Sequence, residues 1–189
     1  MKVAIFGGTF DPIHTAHLEV AREAAERFHL DQLLFIPAAR PPHKTHVMGA
    51  SFEDRLRMVE LACAGQRRFI PSRLEAGPEK SYSIYTIEKV LGTLAPTDQL
   101  YFLIGADAFS EIETWHRVAD VLKSVTFLVV SRPGAQYDVP PTARVERLDT
   151  LAMDVSSSDI RAELALGHKP AALPQPVVDY IRANKLYRH

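Results

Sequence analysis

The 189 residues are enough for one folded domain with a sizeable core, and 47% hydrophobic against 24% charged residues is ordinary for a soluble globular protein. A formal net charge of −1 excludes a broad electrostatic footprint for nucleic acid, so any polyanion has to be gripped locally. Cys63 is the only cysteine, which excludes an intrachain disulfide, and no apolar run approaches the ~20 residues of a membrane span.

The apolar run Val3-Ala4-Ile5-Phe6 reads as a buried strand that starts too early to leave room for a signal peptide, so the expected location is the cytoplasm. After it come Gly7-Gly8-Thr9-Phe10-Asp11-Pro12-Ile13-His14-Thr15-Ala16-His17 and then a helical stripe of Leu18, Ala21, Ala25 and Phe28. Leu33 to Ile36 reads as a second buried strand stopped by Pro37. An irregular stretch follows, with Pro41-Pro42 and the cationic or imidazole side chains His43, Lys44 and His46. Ser51 can cap the next helix, with Glu53 and Asp54 in its first turn and Leu56, Val59 and Cys63 facing inward, where Cys63 is a packed thiol. Phe69 to Leu74 is an edge-strand candidate because of Pro71, and Ser81 or Ser83 can cap a helix through Ile84, Ile87 and Leu91. Leu100 to Ile104 and Val125 to Val130 read as strands with a short helix from Val118 to Leu122 between them. Residues 135–143 read as an exposed loop, 144–149 as a further strand, and Ser156 to Ser158 as the start of a helix stopping near Gly167. Pro174 and Pro176 introduce a last helix through Val177, Tyr180 and Ile181.

Alternating strands and helices predict an α/β fold, a Rossmann-like, doubly wound, mostly parallel sheet flanked by helices. The whole chain reads as a single domain, with 156–189 as a small C-terminal helical part. A ligand crevice is expected outside the carboxyl ends of the strands, where the loops after Phe6, Ile36, Ile104 and Val130 emerge.

A glycine pair leaving a strand lets backbone N–H groups approach an anion, and histidines three positions apart at a helix start point to nearly the same place. Ser156-Ser157-Ser158-Asp159-Ile160-Arg161 adds hydroxyls and free N–H groups at another helix start, with a guanidinium fork one turn on. Taken alone, each piece is also compatible with a metal half-site or a plain serine cap. Glu111 and Glu113 read as a solvated face, and Arg55, Arg57, Arg67 and Arg68 as ordinary surface. His29, His168 and His189 read as exposed, while His46 and His116 lie near the site loops without an assignable role.

The segment 7–17 resembles the nucleotidyltransferase superfamily, whose motif runs glycine-threonine-phenylalanine-aspartate and then histidine, two residues, histidine. The 156–161 element resembles that superfamily's serine-serine-threonine-x-isoleucine-arginine, with Ser158 in place of threonine. Three further segments resemble the bacterial nicotinate-nucleotide adenylyltransferases: Ile36-Pro37 with Pro41-Pro42-His43-Lys44, Ser81-Tyr82-Ser83, and Phe102 to Asp107 with Trp115 eight residues beyond. Ser131-Arg132-Pro133-Gly134 adds the family's arginine-proline-glycine turn. Besides Ser158, three positions depart from the pattern: Ala16 stands for glycine, Ser83 for threonine and Tyr85 for aspartate. The extra methyl of Ala16 narrows the space over the helix start.

The resemblance implies transfer of AMP from ATP to nicotinate mononucleotide, with release of pyrophosphate. It implies His14, His17 and Arg161 as catalytic residues, and Gly7, Gly8, Thr9, Phe10, Gly105, Asp107, Ser157, Ser158 and Ile160 around ATP. Thr9, Lys44, Tyr82, Ser83, Trp115 and Arg132 are implied on the acceptor side, with Trp115 stacked on the pyridine ring. Mg²⁺ carried in with ATP needs few protein ligands, so no protein metal site is expected, and Asp11 is assigned to orienting its loop rather than to a metal's water. The expected partners are these two nucleotides, with no nucleic acid and no membrane; a homo-oligomer is compatible with the pattern. Nicotinamide mononucleotide or phosphopantetheine remains open as acceptor, cytidylyl transfer remains open within the superfamily, and a non-catalytic nucleotide-binding module remains the alternative of another class.

Overall fold

Alternation with a period of two runs through every central strand, and it sorts side chains onto two faces of one sheet. The computed structural model describes residues 1–42, 48–152 and 154–188. Its strands are β1 (Lys2–Gly8), β2 (Gln32–Pro37), β3 (Phe69–Pro71), β4 (Gln99–Gly105), β5 (Thr126–Ser131) and β6 (Arg144–Asp149). They form one sheet in the order β3-β2-β1-β4-β5-β6, and all five pairings are parallel. The helices are α1 (Thr15–Arg27), α2 (Phe52–Cys63), α3 (Ser83–Leu91), α4 (Ala106–Ser110), α5 (Val118–Ser124), α6 (Ser157–Ala165) and α7 (Gln175–Ala183), with a 3₁₀ turn at Ile112–Thr114.

Ala4, Leu33, Phe35, Leu103, Leu128 and Val130 face one layer, where they meet Ala21 and Ala24 of α1, Met58 and Val59 of α2, Ile160 of α6 and Val177 of α7. Val3, Ile5, Phe102, Ile104, Phe127 and Val129 face the other, packed on Ile84 and Ile87 of α3, Phe109 of α4 and Val121 of α5. The two outer strands are blunted, β3 by its three-residue length and Pro71, β6 by exposed Arg144, Glu146, Arg147 and Asp149. Burial pushes the Cys63 thiol up to about 12, the packed thiol expected from its helical position.

Two helix starts behave as their residues predict. Ser51 accepts from the Asp54 N–H and Ser156 from the Asp159 N–H, each at 3.1 Å, and each satisfies one of the unpaired donors of a first turn. The start of α3 does not. Tyr82 occupies the cap with no side-chain bond, Ser83 is already helical, and Ser81 turns away to exchange two hydrogen bonds with the backbone of Arg40. The reading of Arg55 as surface is also corrected: it is 1% exposed, whereas Arg57, Arg67 and Arg68 are exposed as expected.

The strand order reverses direction between β1 and β4, so the loops leaving Gly8 and Gly105 diverge and open a crevice at the carboxyl end of the sheet. The rigidity of that end depends on the aromatic layer beneath it, where Phe127 lies 6.0 Å from Phe102 and 5.2 Å from Phe109, centroid to centroid. Replacing wholly buried Phe127 with alanine is expected to destabilise the protein by about 3–5 kcal/mol, which urea unfolding would measure directly.

Candidate functional site

The crevice is a cavity of about 630 Å³. It is lined by Phe6, Gly7 and Gly8 of β1, by Leu103, Ile104 and Gly105 of β4, and by side chains from several further stretches of chain. His14 and His17 contribute, as do Ser156, Ser157, Ser158 and Arg161, Pro41 and Pro42, and Ser81, Ser83 and Trp115. The two motifs that lie nearly the whole chain apart therefore line one space.

Local hydrogen bonds account for that convergence. Ser157 Oγ donates to the Pro12 carbonyl at 3.0 Å, and Arg161 Nη1 donates to the Asp11 carbonyl at 2.7 Å. Arg161 Nη2 also donates to Ser158 Oγ at 3.2 Å, so the guanidinium is oriented before any ligand arrives. Across the cavity, the two bonds between Ser81 and Arg40 tie the start of α3 to the segment that carries Pro41 and Pro42.

The glycine pair works differently from the sequence expectation. A Cβ on Gly8 would come within 3.2 Å of the Phe10 ring, so the bare backbone there receives an aromatic ring. Phe10 has a φ of 47°, a left-handed conformation that turns the chain and sends its ring back over Gly8. There it packs against Phe6, Phe35 and His17 at 5.6, 5.7 and 5.1 Å. Gly7 and Gly105 are less crowded: the nearest side-chain atom to a Cβ on Gly7 would be 3.9 Å away, and nothing lies within 4 Å for Gly105.

The histidines form a stacked pair, with ring centroids 3.7 Å apart and planes inclined at 26°. The His14 N–H donates to His17 Nδ1 at 3.2 Å, which leaves the proton of a neutral His17 ring on Nε2. Burial pushes His14 down to about 4, and burial followed by the neighbouring His14 pushes His17 well below the ordinary range. Both rings are thus neutral near pH 7 and act as N–H donors. His14 Nδ1 is buried and without a hydrogen-bond partner among the described residues, a polar atom left for something that enters the cavity.

Other expected residues are placed unevenly. Thr9 lines the cavity, and its carbonyl accepts from Arg55 at 2.6 Å. Trp115 lines it half-buried, its indole edge-on to Phe102 at 5.7 Å. Ala16 lines it too and is 6% exposed, so the methyl that replaces glycine does face this space. Tyr82 lines a smaller neighbouring hollow of about 240 Å³ and packs on the His116 ring at 4.5 Å. Tyr85, the departure from aspartate, reaches His116 Nε2 through its hydroxyl at 3.2 Å.

Three expected ligand residues stand apart from the lining. Asp107 is exposed in the first turn of α4, and exposed Arg132 pairs with Asp154 at 2.5 Å. Ile160 is 2% exposed in the core, and its N–H is used by the Ser156 carbonyl at 3.1 Å. Its position follows from helical spacing: Ile160, with Leu164 one turn on, falls on the buried face that holds α6 on the sheet. Lys44, His43 and His46 lie outside the described residues, as does His189.

Sequence reasoning missed Glu75. Its half-buried carboxylate lines both hollows and accepts from the Thr86 hydroxyl at 2.6 Å, and desolvation raises its pKa despite that bond. No signal in the sequence separates Glu75 from neighbouring exposed glutamates, since its burial depends on a helix that starts eight positions later. Among the described residues, no group of three or more His, Cys, Asp or Glu side chains is gathered to hold a metal.

The neutral histidines carry a pH signature. The unfolded chain titrates His14 near 6.5 and the folded protein near 4, so its contribution to stability is present above 6.5 and is lost as pH falls toward 4. Adding tripolyphosphate should raise the folded value, because an anion favours the imidazolium. Imidazole ¹⁵N NMR should then show His14 titrating near 4 without ligand and higher with it. A ligand-free value of 6.5 or above would overturn the buried, neutral assignment.

Comparison with known proteins agrees with the geometry over the whole chain. The family model described as cytidylyltransferase-like matches residues 5–163. A protein of Solibacter usitatus named a probable nicotinate-nucleotide adenylyltransferase is 59% identical over 187 residues, covering 99% of this chain and 100% of that one. A protein of Pelobacter propionicus with the same name is 41% identical, covering 99% and 98%. The solved structure of Plasmodium falciparum nicotinic acid mononucleotide adenylyltransferase complexed with NaAD shares the fold at a TM-score of 0.77 and 20% identity, covering 98% of this chain and 97% of that chain. This chain belongs to the cytidylyltransferase-like family and, within it, to the nicotinate-nucleotide adenylyltransferases.

Proposed function

We propose that the protein transfers the adenylyl group of ATP to nicotinate mononucleotide, giving nicotinate adenine dinucleotide and pyrophosphate. The observation that carries the reading is the single cavity lined by His14, His17, Ser158 and Arg161 together with Pro42, Ser83 and Trp115. The donor-rich group fits a triphosphate, and the group with one indole and a short hydroxyl side chain fits a planar heteroaromatic nucleotide. The names carried by full-length relatives support the same substrates.

A phosphate oxygen of the acceptor attacks the α-phosphorus of ATP, and the bond from that phosphorus to the oxygen bridging the β-phosphate breaks. The nucleophile is already an anion, so no side chain needs to remove a proton and no covalent enzyme intermediate is required. What the site supplies is alignment of two mutually repelling polyanions and donors for the charge that builds on the α-phosphate and the pyrophosphate. In this reading His17 donates from Nε2, His14 serves beside it, and Arg161 offers the guanidinium N–H groups not used on Asp11 and Ser158. ATP arrives as its Mg²⁺ complex, the ion held mainly by substrate oxygens. The reaction belongs to the cytoplasm, and no described helix is long and apolar enough to cross a membrane.

The direct test is pyrophosphate release from ATP with nicotinate mononucleotide, nicotinamide mononucleotide and phosphopantetheine as separate acceptors. Nicotinate mononucleotide should give the highest kcat/KM, and equal or better turnover with phosphopantetheine would overturn the assignment. His17→Ala should lower kcat by about 10²–10³, the usual size for losing one preorganised donor; near-normal turnover would remove His17 from the phosphate clamp. Trp115→Ala should raise KM for the pyridine nucleotide and leave that for ATP nearly unchanged, whereas the opposite selectivity would move the indole to the adenosine side.

A further inference from the structure

Behind the loop that carries the first motif lies a buried polar cluster that the proposed chemistry does not use. Asp11 is 3% exposed, and its carboxylate accepts the N–H of Gly49 at 2.8 Å, the N–H of Ala50 at 3.1 Å and the Tyr187 hydroxyl at 2.7 Å. Arg55 reaches the same place from α2, donating to the Thr9 carbonyl at 2.6 Å and the Ala50 carbonyl at 3.3 Å. The main chain of residues 9–11 is thus gripped from behind, while the Asp11 carbonyl grips Arg161.

Tyr187 acts in this cluster twice. Its hydroxyl bonds to Asp11 from 176 positions away, and its ring covers Gly49. A Cβ on Gly49 would come within 2.6 and 2.8 Å of two ring carbons and 3.0 Å of Arg161 Cδ, so the ring and the Arg161 stem share the space over that glycine. Burying a carboxylate, a guanidinium and a phenol is costly compared with packing apolar groups of similar size, so stability alone is a weak reason for such a cluster. What a fully hydrogen-bonded cluster supplies is one fixed geometry.

We propose that Tyr187 is a positioning residue for adenylyl transfer, its hydroxyl fixing the Asp11 carboxylate behind the phosphate loop and its ring fixing the stem of Arg161. The inference rests on the reading of this cavity as the triphosphate site. Tyr187 is not among the residues that line the cavity; it acts through the loop and through Arg161. Asp11, Arg55 and Gly49 are the parts it works with, and they join α2, the 49–50 segment and the first motif into one backing for the clamp.

Two variants disturb Tyr187 in different ways. Tyr187→Phe keeps the ring and removes the bond to Asp11; Gly49→Ala forces the whole side chain, ring and hydroxyl together, away from Asp11 and from the Arg161 stem. Per folded molecule, each should lower kcat by about 10- to 100-fold, the scale of a small misplacement of catalytic groups, at an unchanged KM for nicotinate mononucleotide. A purely structural role would lower the thermal midpoint and scale the rate only with the folded fraction. Wild-type kcat per folded molecule in Tyr187→Phe would therefore overturn the positioning role, even if Gly49→Ala failed to fold. Failure of wild-type protein to release pyrophosphate from ATP and nicotinate mononucleotide would instead overturn the functional reading on which the inference stands.

Discussion

The carbonyl groups of Asp11 and Pro12 hold the site together. Each accepts one side-chain donor from the start of α6, Arg161 to the first and Ser157 to the second. Together with the burial of Ile13 and Ile160 in one core cluster, those two bonds set the histidines at the start of α1 against the hydroxyls at the start of α6. With them, side chains from the starts of α1 and α6 line one cavity. The acceptors are backbone atoms of a loop whose own shape is set by the Phe10 ring over Gly8 and by Arg55 behind Thr9. The accuracy of the clamp therefore derives from packing and burial one layer deeper than the groups that line the cavity.

The electrostatics of the cavity follow from the same burial. A chain with a net charge of −1 attracts a polyanion only weakly from a distance, so its grip has to be short-ranged. Desolvation keeps His14 and His17 neutral in the free protein, which avoids two cations stacked 3.7 Å apart. Neutral N–H donors can be packed this closely, and an arriving triphosphate supplies the charge that makes their partial protonation favourable. Arg161 is the permanent cation of the lining, and its bonds to Asp11 and Ser158 reduce the ordering that binding would otherwise require.

Much of this was legible in the chain, and the limits have physical causes. The strands were readable because a short apolar run bounded by turn residues is a local property, and the serine caps at 51 and 156 because their bonds span only three residues. The convergence of the two motifs was foreseeable from the rule that loops at strand carboxyl ends share a crevice. Arg55 was not legible: its burial depends on Thr9, 46 positions away, so its own neighbours carry no trace of it. Ser81 failed as a cap for a similar reason, since a distant backbone at Arg40 outcompeted the local helix start. The hexapeptide 156–161 was read as a run of ligand residues, but helical geometry splits it, with Ser158 and Arg161 toward the cavity and Ile160 toward the core.

Two of the departures from the family pattern, Ser83 and Tyr85, lie close together at the start of α3. Ser83 lines the cavity and begins α3, while Tyr85 stands two residues further on, outside the main cavity and bonded to His116. His116 in turn adjoins Trp115 in the chain and carries the Tyr82 ring on its face. Tyr85 thus braces the backbone next to the indole from the solvent side, a job an aspartate is too short to do by stacking but can do through a charge. A hydroxyl at 83 in place of the bulkier threonine keeps a donor in the lining of the cavity. The two departures thus differ in place: Ser83 lines the cavity, whereas Tyr85 supports the chain beside the indole from outside it.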